Sequence, residues 1–310
     1  MRVVFLGSGS FAIPSFEAVL DAGHDVRALV TQPDREKGRG RALSPPPLKP
    51  VAEARGVPVL QPRRVREPAV VETLRGFAPD VQIVVAYGQI LPRTLIDVPP
   101  LGTVNVHASL LPRLRGAAPI QWAVALGEAE TGVTTMRIDE GLDTGPTLLA
   151  RSTPIGAHET AADLEPRLAR LGAALLIDTL AGLEAGTLRP VAQDPGLATL
   201  APLLRKEQGR VDWTQSALDI ERRIRGFHPW PGTTAALEGR AVKLLAARPE
   251  PPGDAAPPGT VAALRPDGVL VACGAGSRLL VTVVQPESRR PMPAAAFAAG
   301  ARLRPGARFD

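Results

Sequence analysis

Cysteine is all but missing from this sequence. Cys273 is the only one in 310 residues, so no disulfide can close within the chain, as in proteins kept in a reducing compartment. It ends the apolar run Val-Leu-Val-Ala-Cys (269–273) and reads as a small buried hydrophobe. Long apolar stretches are missing as well; none approaches the ~20 residues of a membrane span. The first twenty residues are apolar but lack the order of a signal peptide. Gly7, Ser8, Gly9 and Ser10 interrupt them, and Glu17 and Asp21 follow, which is the pattern of a strand, a turn and a helix. Histidine is scarce. His24, His107, His158 and His228 are all there are, and only His107 stands among other polar groups, so no metal is expected. His24, after Gly23 at a helix end, is expected at the surface, and His228 is expected to pack in a turn. No repeat of solenoid period is present. What remains is a cytoplasmic, metal-free globular protein, expected to be a monomer. Its 310 residues, 45% of them apolar, are long for one core and comfortable for two domains.

Charge is distributed unevenly. Residues 1–189 hold 20 Lys and Arg against 20 Asp and Glu, whereas residues 190–310 hold 16 against 11, so the whole net charge of +5 lies in the last third. A basic domain joined to a neutral one suits a polyanionic partner, most simply a nucleic acid; the plain alternative is a solubilising surface.

Apolar strands at Arg2–Leu6, Val26–Thr31, Val57–Leu60, Val81–Ala86 and Val104–His107 alternate with helical patterns at Phe11–Ala22, Leu48–Arg55, Val70–Gly76 and Ala161–Gly186. Alternation of this kind predicts an α/β domain over 1–189, doubly wound around a mainly parallel, Rossmann-like sheet. Gln32–Arg41 reads as a charged loop. Residues 190–208, with Pro190, Pro195 and Pro202, read as an extended linker. A helix over Ser216–Phe227 then leads into short runs at Thr233–Ala236, Val242–Ala246, Gly259–Leu264, Gly268–Cys273 and Leu279–Val284, separated by Gly/Pro turns. Their spacing predicts a small antiparallel β-barrel, OB-like, over 209–310.

The richest stretch is Asn105–Asp143. Along a strand, i and i+2 share a face, so Asn105 and His107 point the same way at the end of a strand, where open α/β sheets place their ligands. Asn brings a neutral donor and His a donor or a base. Asp143 lies in the loop Gly141-Leu-Asp-Thr-Gly145, which can bend back to the strand ends and orient the imidazole. No nucleophile stands beside them. An amide, an imidazole and a carboxylate suit a tetrahedral carbonyl adduct better than a covalent acyl-enzyme.

Asn105-Val-His107, Ser109-Leu-Leu-Pro112, Arg115-Gly116, Glu130-Thr-Gly-Val-Thr134 and Leu142-Asp-Thr-Gly145, in that order, resemble the folate-dependent formyltransferases. The resemblance implies catalytic roles for Asn105, His107 and Asp143. It places 10-formyltetrahydrofolate along Ser109, Leu110, Leu111 and Pro112, with direct attack of an amine on the formyl carbon. The wording is nearest to members that formylate methionine esterified to initiator tRNA, an act of translation initiation. Arg113-x-Arg115-Gly-Ala-Ala-Pro-Ile-Gln121 follows that branch. Thr31-Gln-Pro-Asp-Arg35 with Gly38-Arg39-Gly40 looks like its mobile loop, which enters the end of the acceptor stem. Ile224-Arg-Gly-Phe-His-Pro-Trp-Pro-Gly232 looks like its entry into the second domain. Under that resemblance Arg35, Lys37, Arg39, Arg41, Arg205, Lys206 and Lys243 are candidate tRNA contacts, and Arg210 and Arg248 could join them. Two departures stand out. The first turn is Gly7-Ser-Gly-Ser-Phe-Ala12, where the family has Gly-Thr-Pro-x-Phe-Ala, and a basic pair after Gly40 is reduced to Arg41-Ala42.

Rival readings fit less of the chain. Gly7-x-Gly9 after the first strand is a fragment of a dinucleotide fingerprint, but the second strand ends Leu-Val-Thr-Gln-Pro, without the acidic residue that would bind a ribose. Formyltransferases acting on glycinamide ribonucleotide lack a second domain of this size. Those acting on amino-sugar nucleotides can share the Ser-Leu-Leu-Pro block and a Pro-Trp-Pro-Gly segment, but the arginine-rich loop speaks against them. A tRNA-binding protein without catalysis would have no use for Asn105, His107 and Asp143.

Overall fold

A computed structural model of the chain describes residues 1–37, 42–254 and 256–310. Contacts divide it into two compact units: one of residues 1–116, 131–153 and 165–201, and one of residues 117–130, 154–164 and 202–310.

The first unit is built on a seven-stranded sheet. From edge to edge its strands are Val59–Leu60, Asp25–Val30, Arg2–Gly7, Val81–Val85, Thr103–His107, Glu130–Arg137 and Thr147–Pro154. Numbered by appearance the order is 3-2-1-4-5-6-7, and the first five strands pair in parallel. That is the expected Rossmann-like sheet. Its order reverses between Arg2–Gly7 and Val81–Val85, and ligands of such sheets sit beyond the carboxyl ends of the strands near that reversal. Val3, Val4, Phe5 and Leu6 are fully buried, and all five residues of Val81–Val85 are buried, as in a parallel sheet covered on both faces; the one polar residue of that strand, Gln82, accepts from Thr103 Oγ1 at 3.1 Å. Glu130–Arg137 runs antiparallel to Thr103–His107, pairing His107 with Thr134 and Asn105 with Met136.

Ser8 ties the strand tips together. Its hydroxyl accepts from Gln32 N at 3.0 Å and from Thr31 Oγ1 at 3.1 Å, and donates to the Tyr87 carbonyl at 3.4 Å. The turn that departs from the family's Gly-Thr wording therefore uses a serine hydroxyl at that place. His24 is half-buried rather than at the surface. Its Nδ1 faces the terminal amine at 3.3 Å, and burial, then that ammonium charge, lower its pKa.

The stretch Gln32–Arg41 was expected to be loop throughout. Its described part, residues 32–37, instead contributes Arg35–Lys37 to a small antiparallel hairpin with Ala42–Ser44. The base of this hairpin is fastened by Asp34. Lys49 Nζ reaches both carboxylate oxygens at 3.0 and 3.1 Å, and Gln61 Nε2 donates to Oδ1 at 2.6 Å.

The second unit carries a six-stranded antiparallel sheet, with Thr233–Leu237, Arg240–Glu250, Arg278–Pro286, Gly268–Ala272 and Val261–Arg265 in that order and Met292–Pro293 added to Arg278–Pro286. The ladder does not close by itself. The C-terminal tail links its two edges: Phe309 bridges Leu237, Arg308 bridges Thr260, and Val261 N donates to Ala307 O at 2.8 Å. Phe309 packs on Trp213, ring centres 5.8 Å apart, over a core that includes Val242, Val261, Val271, Leu279 and Val281. The short helix Pro119–Ala125 belongs to this unit and packs with the helix Ala217–Gly226. Trp122 meets Phe227 edge-on at 5.5 Å, and its Nε1 donates to Pro202 O at 2.9 Å.

Candidate functional site

The first unit brings Asn105, His107 and Asp143 to the carboxyl end of Thr103–His107, though His107 and Asp143 are 36 residues apart in sequence. His107 is buried. Its Nε2–H donates to the Leu114 carbonyl at 3.0 Å, which fixes the ring plane, and its Nδ1 faces Asp143 Oδ2 at 3.7 Å. Asp143 Oδ2 also accepts from Gly116 N at 2.8 Å. Asp143 Oδ1 has no protein partner among the described residues. Asn105 is half-buried, and among the described residues its side-chain amide bonds to no protein group.

The backbone is bent to make this possible. Leu114 (φ 57) and Asp143 (φ 51) both lie in the left-handed region, which costs a side chain with a Cβ on the order of 1–2 kcal/mol and persists only where surroundings enforce it. The loop that carries Asp143 is organised by Asp139, whose Oδ1 accepts from Gly141 N at 3.0 Å and from Thr144 Oγ1 at 2.8 Å. At Gly145 a Cβ would collide with the Arg137 carbonyl, so the return to the sheet needs glycine there.

Ser109–Pro112 is held from both ends. Ser109 Oγ donates to Arg113 O at 2.7 Å. Thr134 Oγ1 donates to Ser109 O at 2.7 Å and accepts from Leu111 N at 3.1 Å. Leu111–Pro112 is a cis peptide. Gly132, the glycine of Glu130-Thr-Gly-Val-Thr134, lets two elements close on this segment: a Cβ there would stand 2.5 Å from Leu110 Cδ2 and collide with Arg151 O. Leu110, Leu111 and Pro112 remain half-buried, leaving apolar surface beside the polar trio.

Sequence reasoning overlooked Leu114, whose carbonyl orients His107, together with Gln193 and Thr199. Gln193 Nε2 donates to Asp143 O at 2.9 Å and to Gly145 O at 2.7 Å, while Thr199 Oγ1 accepts from Leu114 N at 2.9 Å. No local pattern marks them.

The basic candidates fall into two groups. Arg35 on the first unit, and Arg205, Lys206 and Lys243 on the second, are exposed, and among the described residues none of them makes an ion pair. Arg39, Arg41 and the side chain of Lys37 lie outside the described residues. Arg248 is also exposed and pairs with Glu250 at 3.0 Å and Asp267 at 2.6 Å.

The first unit thus presents a 3-2-1-4-5 parallel sheet with an amide, an imidazole and a carboxylate at one strand end, and an antiparallel unit follows it in the chain. The Formyl transferase family profile matches residues 1–180, and that of the Formyl transferase, C-terminal domain, matches residues 203–302. The methionyl-tRNA formyltransferase of Solibacter usitatus is 54% identical over 98% of this chain and 96% of its own length; that of Geobacter sulfurreducens is 47% identical over 100% and 96%. The chain belongs to the methionyl-tRNA formyltransferase family. Among solved structures, the N-formyltransferase of Helicobacter canadensis in complex with folinic acid and dTDP-3-aminofucose shares the fold, with a TM-score of 0.65 and 15% identity over 91% of this chain and 98% of its own. Among the described residues no group of His, Cys, Asp and Glu could hold a metal, and no helix is long and apolar enough to cross a membrane.

Proposed function

We propose that the chain transfers a formyl group from 10-formyltetrahydrofolate to the free α-amino group of methionyl initiator tRNA, with Asn105, His107 and Asp143 as catalytic residues. The carrying observation is the trio itself: a half-buried amide with no protein partner among the described residues, beside an imidazole fixed by Leu114 and faced by a carboxylate. Bound 10-formyltetrahydrofolate supplies an activated formyl carbon. The donor set fits it, since an unpartnered amide and an imidazole N–H are what a formyl oxygen needs, and Ser109, Leu110, Leu111 and Pro112 would hold the folate alongside. Asn105 and His107 donate to the oxygen on which negative charge builds as the amine adds; removing such a donor typically costs about 3–4 kcal/mol. His107 keeps its Nε2–H on Leu114 O, and the proton it gives to the formyl oxygen is the one on Nδ1, which Asp143 Oδ2 faces from 3.7 Å without holding it in a hydrogen bond. Asp143 Oδ1, without a protein partner among the described residues, accepts the amine's proton, and that proton passes to N10 of tetrahydrofolate as the formyl C–N10 bond breaks.

In this reading residues 1–189 form the catalytic domain, 190–208 the segment that joins it to the next, and 209–310 the tRNA-binding domain. Arg35, Lys37, Arg39 and Arg41 meet the stem end, and Arg205, Lys206 and Lys243 meet phosphates. The enzyme works as a cytoplasmic monomer. Its one thiol suits that setting, because burial pushes the Cys273 thiol up to about 12 and leaves it inert. The test is formyl transfer to charged initiator tRNA, with an amino-sugar nucleotide as control acceptor. Transfer to the sugar and not to the tRNA refutes the reading. Affinity for tRNA is expected to fall steeply with salt, and Lys243→Ala to flatten the log–log slope by about one. A slope unchanged by the substitution removes Lys243 from the interface.

A further inference from the structure

We propose that the segment 191–201 is a positioning element of the active site, with Gln193 and Thr199 holding Asp143 and His107 in register. The proposal rests on the catalytic reading of that pair. The segment lies between the two spans matched by the family profiles, 1–180 and 203–302, and its sequence has the look of a connector. Its hydrogen bonds say otherwise.

At one end Val191 exchanges two main-chain bonds with Thr147, each 2.8 Å. At the other, Thr199 O accepts from Arg115 N at 2.9 Å and Ala201 N donates to Arg115 O at 2.7 Å, a short ladder against the residues that follow Leu114. Between these anchors the side chains reach the site. Thr199 Oγ1 accepts from Leu114 N, and the Leu114 carbonyl is the group that fixes His107. Gln193 spends both amide hydrogens on Asp143 O and Gly145 O. Its oxygen accepts from Arg115 Nε at 3.0 Å and Nη2 at 2.8 Å. Arg115 is a donor only and the two carbonyls are acceptors only, so just one orientation of the amide satisfies all four bonds. Arg115 is buried and has no carboxylate partner among the described residues, so its hydrogens are free for this clamp.

The two left-handed residues of the site, Leu114 and Asp143, are thus each held by this one segment. Asp143 is fastened through its main chain and His107 through Leu114, and the 3.7 Å approach of Nδ1 to Oδ2 depends on both. A glutamate at 193 would keep Arg115 but turn an oxygen against two carbonyls. A valine at 199 would keep the shape and lose the acceptor.

The experiment compares Gln193→Glu, Thr199→Val and the conservative Thr199→Ser, with Asp143→Asn as reference. Steady-state formylation is measured on each, together with the ¹⁵N-edited imidazole spectrum of the folate-free protein, in which His107→Asn identifies the His107 signals. Gln193→Glu and Thr199→Val are expected to lower kcat by about tenfold or more, with KM for folate and for charged tRNA within about threefold, because misplaced groups cost turnover rather than binding. Their His107 signals shift, and Thr199→Ser restores both readouts. Turnover within about twofold of the unsubstituted enzyme in both, while Asp143→Asn is inactive, overturns the proposal and leaves the catalytic reading standing. An active Asp143→Asn overturns the catalytic reading instead. The imidazole spectrum stays decisive in that case, since an unmoved His107 signal in Gln193→Glu and Thr199→Val overturns the positioning role.

Discussion

Replacing Asp143 by asparagine isolates the contribution of one charge. The substitution keeps the side chain's volume and leaves an oxygen to accept from Gly116 N, now at 2.8 Å, so the loop has no reason to unfold. What disappears is a negative charge 3.7 Å from His107 Nδ1, between side chains 17% and 7% exposed, where water screens little. With an effective dielectric of about 20, a unit pair at that spacing interacts by about 4 kcal/mol. Expressed in the transition state, that is about three decades of rate. Loss of the proton-accepting Oδ1 acts in the same direction. Single-turnover formylation of charged initiator tRNA at saturating folate reads the chemical step directly, and equilibrium titration of folate checks that binding persists. Asp143→Asn is expected to fall by about a thousandfold in the first and to change little in the second. A variant that keeps more than about a tenth of the turnover refutes the argument, because so close a carboxylate cannot then be stabilising charge that develops on the imidazole during transfer.

Gly132→Ala places a methyl between Leu110 and the Arg151 main chain, and overpacking of this kind costs about 1–3 kcal/mol; a lowered melting temperature together with weaker folate binding is expected, and an unchanged melt would disprove the close approach. Phe227, fully buried against Trp122 with the Arg223 guanidinium 5.8 Å from its ring centre, is expected to lose about 3–5 kcal/mol on replacement by alanine. Urea unfolding followed by the fluorescence of Trp122 and Trp213 reads that change. The Asp34 carboxyl is held below the usual carboxylate range, first by its bond from Gln61 and then by that from Lys49. A native value below the unfolded one means the stabilisation is complete above about pH 4 and is lost as pH falls through the lowered value. Asp34→Asn is therefore less stable than the unsubstituted protein at pH 7, and the gap closes in acid; a gap of constant size across that range would rule out a role for ionised Asp34.

Much of the parallel sheet was legible because its strands announce themselves. Val-Val-Phe-Leu and Val-Gln-Ile-Val-Val are short, β-branched and bounded by turns, and both are buried as expected. Asn105 and His107 were legible for the same reason, since a period of two fixes their common side once the strand is known. The helix Pro119–Ala125 was not found. It has seven residues, five of them buried, so no polar face gives it a helical period, and nothing in its sequence says that it belongs with the second unit. The strands Glu130–Arg137 and Thr147–Pro154 were also missed, as was the hairpin at Arg35–Lys37. The tail residues that join the edges of the second sheet escaped notice because isolated bridges carry no hydrophobic alternation.

The sequence by itself determined the class of fold, the family, and the identity of the polar groups at the site, because those depend on composition, on local periodicity and on residue types that chemistry makes hard to replace. Only the tertiary structure decided how those groups are held. Gln193 lies 50 residues from Asp143 and 78 from Arg115, and Thr199 lies 85 from Leu114. Hydrogen bonds across such separations follow from where the sheet and its loops finally pack, and a hydrogen-bonding side chain in a proline-bearing connector looks the same in the sequence whether it faces water or an active site.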